Sequence, residues 1–241
     1  MTDITPSELY LGCAGWSLPR EQWPRFNPEG SHLERYASRF NAVEINSSFY
    51  RPHKPSTYAR WAAAVPEAFR FSVKIPKHIT HELRLQGCEP ALDAFLEQCT
   101  ALGERLGCLL VQLPPSLAFE PQTAAAFFEQ LRQRHSGPVV LEPRHASWLH
   151  AQPLLKAQRI AWVEADPAPL GEGAALGWEG LVYGRLHGSP KVYYSAYPEA
   201  TLRAVASRLA ASQVPAWCIF DNTAAGAAVA DALWVVEHLQ R

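Results

Sequence analysis

The sequence lacks any long apolar run, any paired cysteine motif and any marked excess of charge. No apolar stretch approaches the roughly 20 residues that a membrane-spanning helix needs. The five cysteines form no CxxC pair and are odd in number, which argues against a disulfide scaffold. The net charge of −1 gives no overall basic field, so tight non-specific binding to nucleic acid is not expected.

The amino terminus also lacks a targeting signal, because MTDITPSELYLG has neither a basic start nor a long apolar core. We therefore expect a soluble, cytoplasmic protein with no membrane partner. The chain has 241 residues, of which 48% are hydrophobic and 19% charged, an ordinary globular composition. We predict a single domain over residues 1–241.

Short apolar strands alternate with helical segments along the chain, a pattern typical of parallel βαβ units. The eight predicted strands are Leu9–Ala14, Ala42–Asn46, Phe69–Lys74, Cys108–Leu113, Val139–Glu142, Ile160–Glu164, Leu181–His187 and Ala216–Phe220. The predicted fold is α/β, a TIM-like (β/α)8 barrel, for which roughly 250 residues are usual.

The helices between the strands are predicted from amphipathic periodicity, one of them over Ala91–Leu106. The segment that follows strand six is different, since DPAPLGEGAALGWEG is rich in proline and glycine. We therefore predict that the helix after strand six is absent or vestigial.

Most of the predicted strands turn polar at the carboxyl end. A buried strand gains nothing from a charge unless the charge is paired or used, so these residues predict one site at the barrel mouth. Alternation along each strand separates the inward side chains from those that face the helices. The polar groups predicted to face inward are Glu44, Asn46, Lys74, Gln112, Glu142, Arg144, Arg185, His187 and Asp221.

Seven ordered segments that span nearly the whole chain resemble the domain-of-unknown-function family 72, the YecE-like proteins. They are GCAGWS, FNAVEINSSFYRPHKPSTYARW, FRFSVKIPKHITH, LLVQLPPS, LEPRHASW, YGRLHG and FDNTAAGAA. The resemblance implies a TIM-like barrel and supplies no established reaction. Family members commonly carry Asn-Asn where this chain has Asp221 and Asn222, so this chain adds a carboxylate to the mouth.

The leading hypothesis is an enzyme of the hydrolase, lyase or isomerase kind with an anionic substrate, phosphorylated or sugar-like. Arginine binds phosphate or carboxylate bidentately and lysine adds a point charge. Glu44 or Glu142 is predicted as general acid or base, and His187 as a partner in proton transfer. The predicted substrate-binding residues are Trp16, Asn46, Tyr50, Lys74, Gln112, Arg144, Trp148, Arg185, Asp221 and Asn222.

Three alternatives stay open. Glu44 and Glu142 face each other across the mouth as the two carboxylates of a glycosidase do. A metal-dependent phosphoesterase acting on nucleic acid is the second alternative. No HxH or HExxH spacing supports it and nearby cations oppose a divalent ion, so no metal ligand is assigned and a metal is not favoured. The third is a non-catalytic ligand-binding accessory protein. No organic cofactor is indicated.

Two loops carry further polar and aromatic groups. In KHITH, Thr80 and His81 are predicted to cap and order the loop rather than to act on a ligand. Three tyrosines follow strand seven, Tyr193, Tyr194 and Tyr197, and form either a lid or packing on the barrel rim.

Overall fold

The computed structural model describes residues 8–171 and 176–239 and contains eight parallel strands with helices between them. The strands are β1 Leu9–Cys13, β2 Ala42–Ile45, β3 Arg70–Lys74, β4 Leu106–Gln112, β5 Val139–Glu142, β6 Ile160–Asp166, β7 Val182–Leu186 and β8 Ala216–Phe220. The α-helices are α1 His32–Ala37, α2 Ser47–Tyr50, α3 Pro55–Ala63, α4 Glu89–Cys99, α5 Pro121–Arg134, α6 Gln152–Ala157, α7 Glu199–Ala210 and α8 Ala227–Leu239. The predicted (β/α)8 barrel is confirmed.

The strands are ordered β1-β8-β7-β6-β5-β4-β3-β2, and all neighbouring pairs are parallel. The sheet closes between β1 and β2 through one bridge, Ala14 with Glu44, where the Gly15 N–H donates to the Glu44 carbonyl at 2.9 Å. Because every strand runs the same way, all eight carboxyl ends lie at one rim.

A tyrosine hydroxyl completes the seam between β1 and β2. The backbone N–H of Cys13 donates to the Tyr36 hydroxyl at 2.7 Å, and that hydroxyl donates to the Ala42 carbonyl at 2.9 Å. Gly12 makes the approach possible, because a Cβ added there would lie 1.9 Å from the Ala42 oxygen. The side chain of Asn41 extends the seam, accepting from the Leu11 N–H and donating to the Leu9 carbonyl.

Two apolar layers hold the barrel. The outer layer lies between strands and helices and includes Val43 and Ile45 of β2. The inner layer fills the barrel below the mouth and consists of Ala42, Cys108, Leu110, Val140, Ala161, Val163, Leu181, Tyr183, Trp217 and Ile219. The predicted alternation is therefore confirmed in β2, where Val43 and Ile45 face the helices and Ala42 faces the interior.

Local signals define where several helices begin. Ser31 and Glu34 form a capping box at the start of α1, each side chain bonding the other's backbone N–H. Glu120 accepts the N–H groups of Gln122 and Thr123 ahead of α5, whose first residue is Pro121. These caps satisfy N–H groups that have no partner within the helix.

The helix predicted over Ala91–Leu106 ends earlier than expected. Helix α4 stops at Cys99 and a 3₁₀ segment, Thr100–Arg105, leads into β4. Gly103 interrupts that segment with φ 56° and ψ −134°, a conformation that glycine adopts without steric cost. The apolar periodicity continued past this break, so it could not locate the helix end.

The connection from β6 to β7 contains turns and no helix in its described parts, 167–171 and 176–181, as predicted. Residues 172–175 lie outside the described residues. Gly177 instead forms an antiparallel bridge with Ala161, and Trp178 packs against the inner apolar layer. Among the described helices, none is long and apolar enough to cross a membrane.

Candidate functional site

The polar ends of the strands meet around one guanidinium at the carboxyl end of the barrel. Arg185 of β7 donates from Nε to Glu44 Oε2 at 3.0 Å and from Nη2 to Glu44 Oε1 at 2.8 Å. It also donates from Nη1 to Glu142 Oε2 at 2.5 Å and from Nη2 to Asp221 Oδ2 at 2.9 Å. One buried arginine therefore neutralises part of the charge of three carboxylates.

Protein groups surround Arg185, which the sequence predicted to bind substrate. Its side chain is 1% exposed, and four hydrogen bonds to carboxylates occupy its Nε, Nη1 and Nη2 atoms. An arginine surrounded in this way holds the carboxylates in place, and its contact with a substrate stays a prediction. Alternation correctly turned Arg185 inward, but it did not show that its partners lie inside the protein.

Glu44 is enclosed in the same way. Its side chain is fully buried, both oxygens bond Arg185, and the Tyr183 hydroxyl lies 2.9 Å from Oε2. That hydroxyl also lies 2.7 Å from Ser72 Oγ, which extends the network below the mouth. The role of Glu44 as a general acid or base stays a prediction, and our proposed function does not use it.

Glu142 joins the buried network to the more exposed rim. Its Oε1 accepts from Nη2 and Nε of Arg144, at 2.6 and 3.1 Å. Burial would raise the pKa of Glu142, but the charge of Arg185 and then contacts with His187 and Arg144 outweigh it, and the pKa lies well below its ordinary value. Glu142 is therefore a carboxylate at neutral pH and pairs with Arg185 and Arg144, while its predicted role as general acid or base stays a prediction.

His187 follows β7 and has the geometry of an oriented imidazole. Nδ1 lies 3.0 Å from Asp221 Oδ2, while Nε2 lies 3.4 Å from Glu142 Oε1 without hydrogen-bond geometry. The residue is 3% exposed. Burial would lower the pKa of His187, but the hydrogen bond to Asp221 and the nearby Glu142 carboxylate outweigh it and raise that pKa above its ordinary value. The pKa of Asp221 is lowered, because the charge of Arg185 and the contact with His187 outweigh the effect of burial, which would raise it.

Three basic side chains form the rim beside this network. The Lys74 ammonium lies 4.2 Å from the centre of the Phe49 ring, and the His81 ring packs edge-on against the same ring at 5.0 Å. Burial and then Arg185 lower the pKa of Lys74. Burial lowers the pKa of His81, and Lys74, Lys77 and Arg144 lower it further. Lys74, His81 and Arg144 therefore form a basic cluster, each of them partly exposed.

His81 is a site residue that sequence reasoning missed. We predicted a capping role, and its Nδ1 does lie 2.8 Å from Thr80 Oγ1. The loop folds as a π-helical turn, His78–Glu82, which brings the ring to Phe49 and the basic cluster. Its place in the loop that follows β3 was the available signal, but only the unusual turn decides which way the imidazole faces.

Two predicted ligand-contacting residues lie inside the protein instead. Trp148 is fully buried, packs on Phe119 and donates its ring N–H to the Leu117 carbonyl at 2.9 Å. Asn222 is also fully buried, and its Nδ2 donates to the Ser195 carbonyl and to Asp231 Oδ2. A loop residue next to a strand end can turn back in this way into the packing between strand and helix, and a ligand contact of these two side chains stays a prediction.

The other predicted residues keep part of their surface. Tyr50 is 79% exposed at the end of α2, and Trp16 is half-buried against Trp61. Asn46 is half-buried, and its Oδ1 is a buried atom without a hydrogen-bond partner among the described residues. Gln112 is nearly buried and donates to the Leu113 carbonyl at 2.7 Å. Their contact with a ligand stays a prediction.

Comparison with known proteins places the chain in a family. Residues 10–241 match the family described as "Protein of unknown function DUF72". The chain belongs to the DUF72 family. UPF0759 protein YecE of Escherichia coli K12 is 34% identical over 123 residues, which cover 51% of this chain and 43% of YecE. UPF0759 protein YunF of Bacillus subtilis is 27% identical over 69% of this chain and 63% of YunF. The matched regions thus span less than two thirds of these relatives.

Solved structures agree with the DUF72 assignment at the level of fold. A DUF72 protein of Thermotoga maritima has a TM-score of 0.79 and 24% identity, over 97% of this chain and 100% of that one. A DUF72 protein of Enterococcus faecalis has a TM-score of 0.79 and 22% identity, over 98% of both chains. A D-psicose 3-epimerase has a TM-score of 0.53 and 9% identity over 96% of both chains, which is a likeness of fold alone.

In this DUF72 chain the loop after β7 is tied to the barrel at both ends. Tyr197 is buried, accepts the Gly188 N–H at 2.8 Å and lies within hydrogen-bond distance of Asp166. The contact between Asn222 and the Ser195 carbonyl fastens the same loop. Tyr197 therefore packs on the rim, one of the two roles that the sequence left open for these tyrosines.

The carboxylates of the site are committed to cations rather than gathered around an empty centre. Across residues 8–171 and 176–239, no group of three or more His, Cys, Asp or Glu side chains is arranged to hold a metal ion. Glu44, Glu142 and Asp221 converge on Arg185, and His145 contacts Ser147. The side chains as arranged in this structure do not fit a divalent metal.

Proposed function

We propose that this chain is an enzyme of the hydrolase, lyase or isomerase kind that acts on a small anionic substrate, phosphorylated or sugar-like, at the mouth of the barrel. His187 transfers the proton, Asp221 orients it, and Lys74 and Arg144 bind the anion. Glu142 holds Arg144 and balances the charge of protonated His187. Glu44 and Arg185 form the buried base on which this arrangement rests.

The observation that carries the proposal is the pair formed by His187 and Asp221. The Asp221 carboxylate accepts the hydrogen bond from Nδ1–H of His187, which leaves Nε2 as the nitrogen that can take or give a proton. Nε2 has no hydrogen-bond partner among the described residues. Because the pKa of His187 is raised, its imidazole keeps its proton to a higher pH than an ordinary histidine does and can donate that proton to a substrate.

Lys74 and Arg144 are proposed as the anion-binding residues because their side chains are partly exposed. Arg185 is enclosed, whereas Lys74 is half-buried and the Arg144 side chain is 25% exposed. A partly desolvated cation attracts an anion more strongly than a fully hydrated one. Arg144 adds a planar group whose fork suits phosphate or carboxylate oxygens.

The first test is phosphate binding. An anion that binds only the folded protein raises its stability by about 2.7 kcal/mol at a hundredfold excess over Kd. We expect phosphate to raise the melting temperature more than chloride at equal ionic strength, and Arg144→Gln to remove the excess. Arg203→Gln, on the exposed face of α7, is the control and should behave as wild type. An equal response in wild type and Arg144→Gln would contradict the anion site.

The second test is proton transfer. A panel of sugar phosphates is incubated with the protein in D₂O and followed by NMR. We expect at least one compound to exchange a carbon-bound hydrogen for deuterium, to lose its phosphate ester or to change its carbon skeleton. We expect His187→Gln to abolish this turnover while keeping the phosphate-induced rise in melting temperature. Loss of phosphate binding together with turnover would instead give His187 a binding role. No turnover by wild type, with phosphate binding intact, would favour a ligand-binding protein.

A further inference from the structure

Tyr193, in the loop after β7, has a backbone conformation that non-glycine residues rarely adopt. Its φ is 70°, in the left-handed region. Its N–H donates to the His187 carbonyl at 2.5 Å, and its own carbonyl accepts the Ala224 N–H at 3.0 Å. The main chain at Tyr193 is therefore held from both sides.

This conformation sets the phenol ring against His187. The two rings lie 5.7 Å apart, centre to centre, at an interplanar angle of 83°. Tyr193 is 40% exposed, whereas the His187 residue that its ring contacts is 3% exposed. The Tyr193 ring thus covers part of the imidazole and is itself open to solvent.

The ring also reaches the basic cluster. Burial would lower the pKa of Arg144, but Glu142 and, to a smaller degree, the Tyr193 phenol raise it above its ordinary value. Tyr193 therefore neighbours both groups that the proposed function uses, the proton-transferring imidazole and the anion-binding guanidinium. Tyr194 next to it points elsewhere and packs with Lys191, whose ammonium lies 4.0 Å from the centre of the Tyr194 ring.

We infer that Tyr193 controls access to His187 Nε2, its ring turning aside to admit a ligand while the main chain stays anchored. Hydrogen bonds from Gly188, Asn222 and Ala224 fasten the loop, so rotation of one side chain is the easier movement. Such rotations take picoseconds to nanoseconds in exposed side chains. The identity of the ligand rests on the proposed function, but the inference that the Tyr193 ring covers His187 in the absence of ligand does not.

Chemical modification of His187 measures this access without any ligand. Diethylpyrocarbonate acylates an imidazole nitrogen that it can reach, and mass spectrometry of the digested protein assigns the label to His187. We expect Tyr193→Gly, which suits the left-handed backbone, to raise the labelling rate of His187 about tenfold or more, because a protected group reacts only through local opening. Tyr193→Phe keeps the ring and should label at the wild-type rate.

Tyr194→Gly is the matched control, since it adds the same backbone freedom one residue away. Its His187 should label as slowly as in wild type. Equal acceleration by Tyr193→Gly and Tyr194→Gly would show that the whole loop opens, and no acceleration by Tyr193→Gly would show that other groups cover Nε2. Either result overturns the inference. The assay contains no phosphate, so failure of the anion site leaves its outcome unaffected.

Discussion

Arg185 and Glu44 form a bidentate ion pair inside the barrel, with Nε 3.0 Å from Oε2 and Nη2 2.8 Å from Oε1. Both side chains are almost completely buried, and they come from β7 and β2, two strands that are not neighbours in the sheet. Both charged groups are occupied by protein partners. Our proposed function therefore uses His187, Asp221 and the partly exposed cations Lys74 and Arg144.

Removing Arg185 should destabilise the protein far more than removing the charge of Glu44. Arg185→Met leaves three buried carboxylates without their shared cation, and breaking a buried pair costs on the order of 3–5 kcal/mol. Glu44→Gln should cost less, because Arg185 keeps Glu142 and Asp221. Urea unfolding at neutral pH measures both. An Arg185→Met variant as stable as wild type would contradict the central role of this guanidinium.

The seam between β1 and β2 should depend on the Tyr36 hydroxyl. Tyr36→Phe leaves the Cys13 N–H and the Ala42 carbonyl buried without a partner, which costs about 1–3 kcal/mol. Thermal unfolding is the measurement. Tyr58→Phe is the matched control, since the buried Tyr58 hydroxyl makes no hydrogen bond among the described residues. A larger loss in Tyr58→Phe than in Tyr36→Phe would show that the seam does not need the hydroxyl.

The contribution of His187 to stability should depend on pH. Its folded-state pKa is raised, so its stabilising effect is fully present below the pKa of the unfolded chain and is lost as pH rises through the folded value. The difference in free energy of unfolding between wild type and His187→Gln should therefore shrink as pH rises over that interval. Urea titrations at several pH values measure it. A difference that grew with pH would mean that the imidazole is neutral in the folded state.

His150→Gln is the control for that series. His150 is exposed in the loop after β5 and has no role in the proposed site. We expect its pH profile to follow that of wild type. A profile that follows His187→Gln instead would assign the effect to general loss of imidazole charge rather than to the contacts with Asp221 and Glu142.

Alternation along the strands predicted which side chains face inward, and this part of the site was accessible from sequence. Glu142 and Arg185 lie where that rule placed them, as does His187 directly after β7. The rule does not extend to loop residues such as Trp148, because no period of two applies after a strand ends. It was also silent on His81, whose direction depends on a π-helical turn.

The sequence by itself determined the alternation of strands and helices and the inward side of each strand, because these follow from local backbone geometry and from the apolar pattern within a few residues. Only the tertiary structure decided which charges meet. Glu44 and Arg185 are separated by 141 positions in the chain, and their contact depends on how far each strand is rotated around the closed barrel. Because the barrel closes, Arg185, predicted to bind an anion, lies in a buried ion pair. This leaves His187 Nε2 and the rim cations as the groups that our proposed function uses.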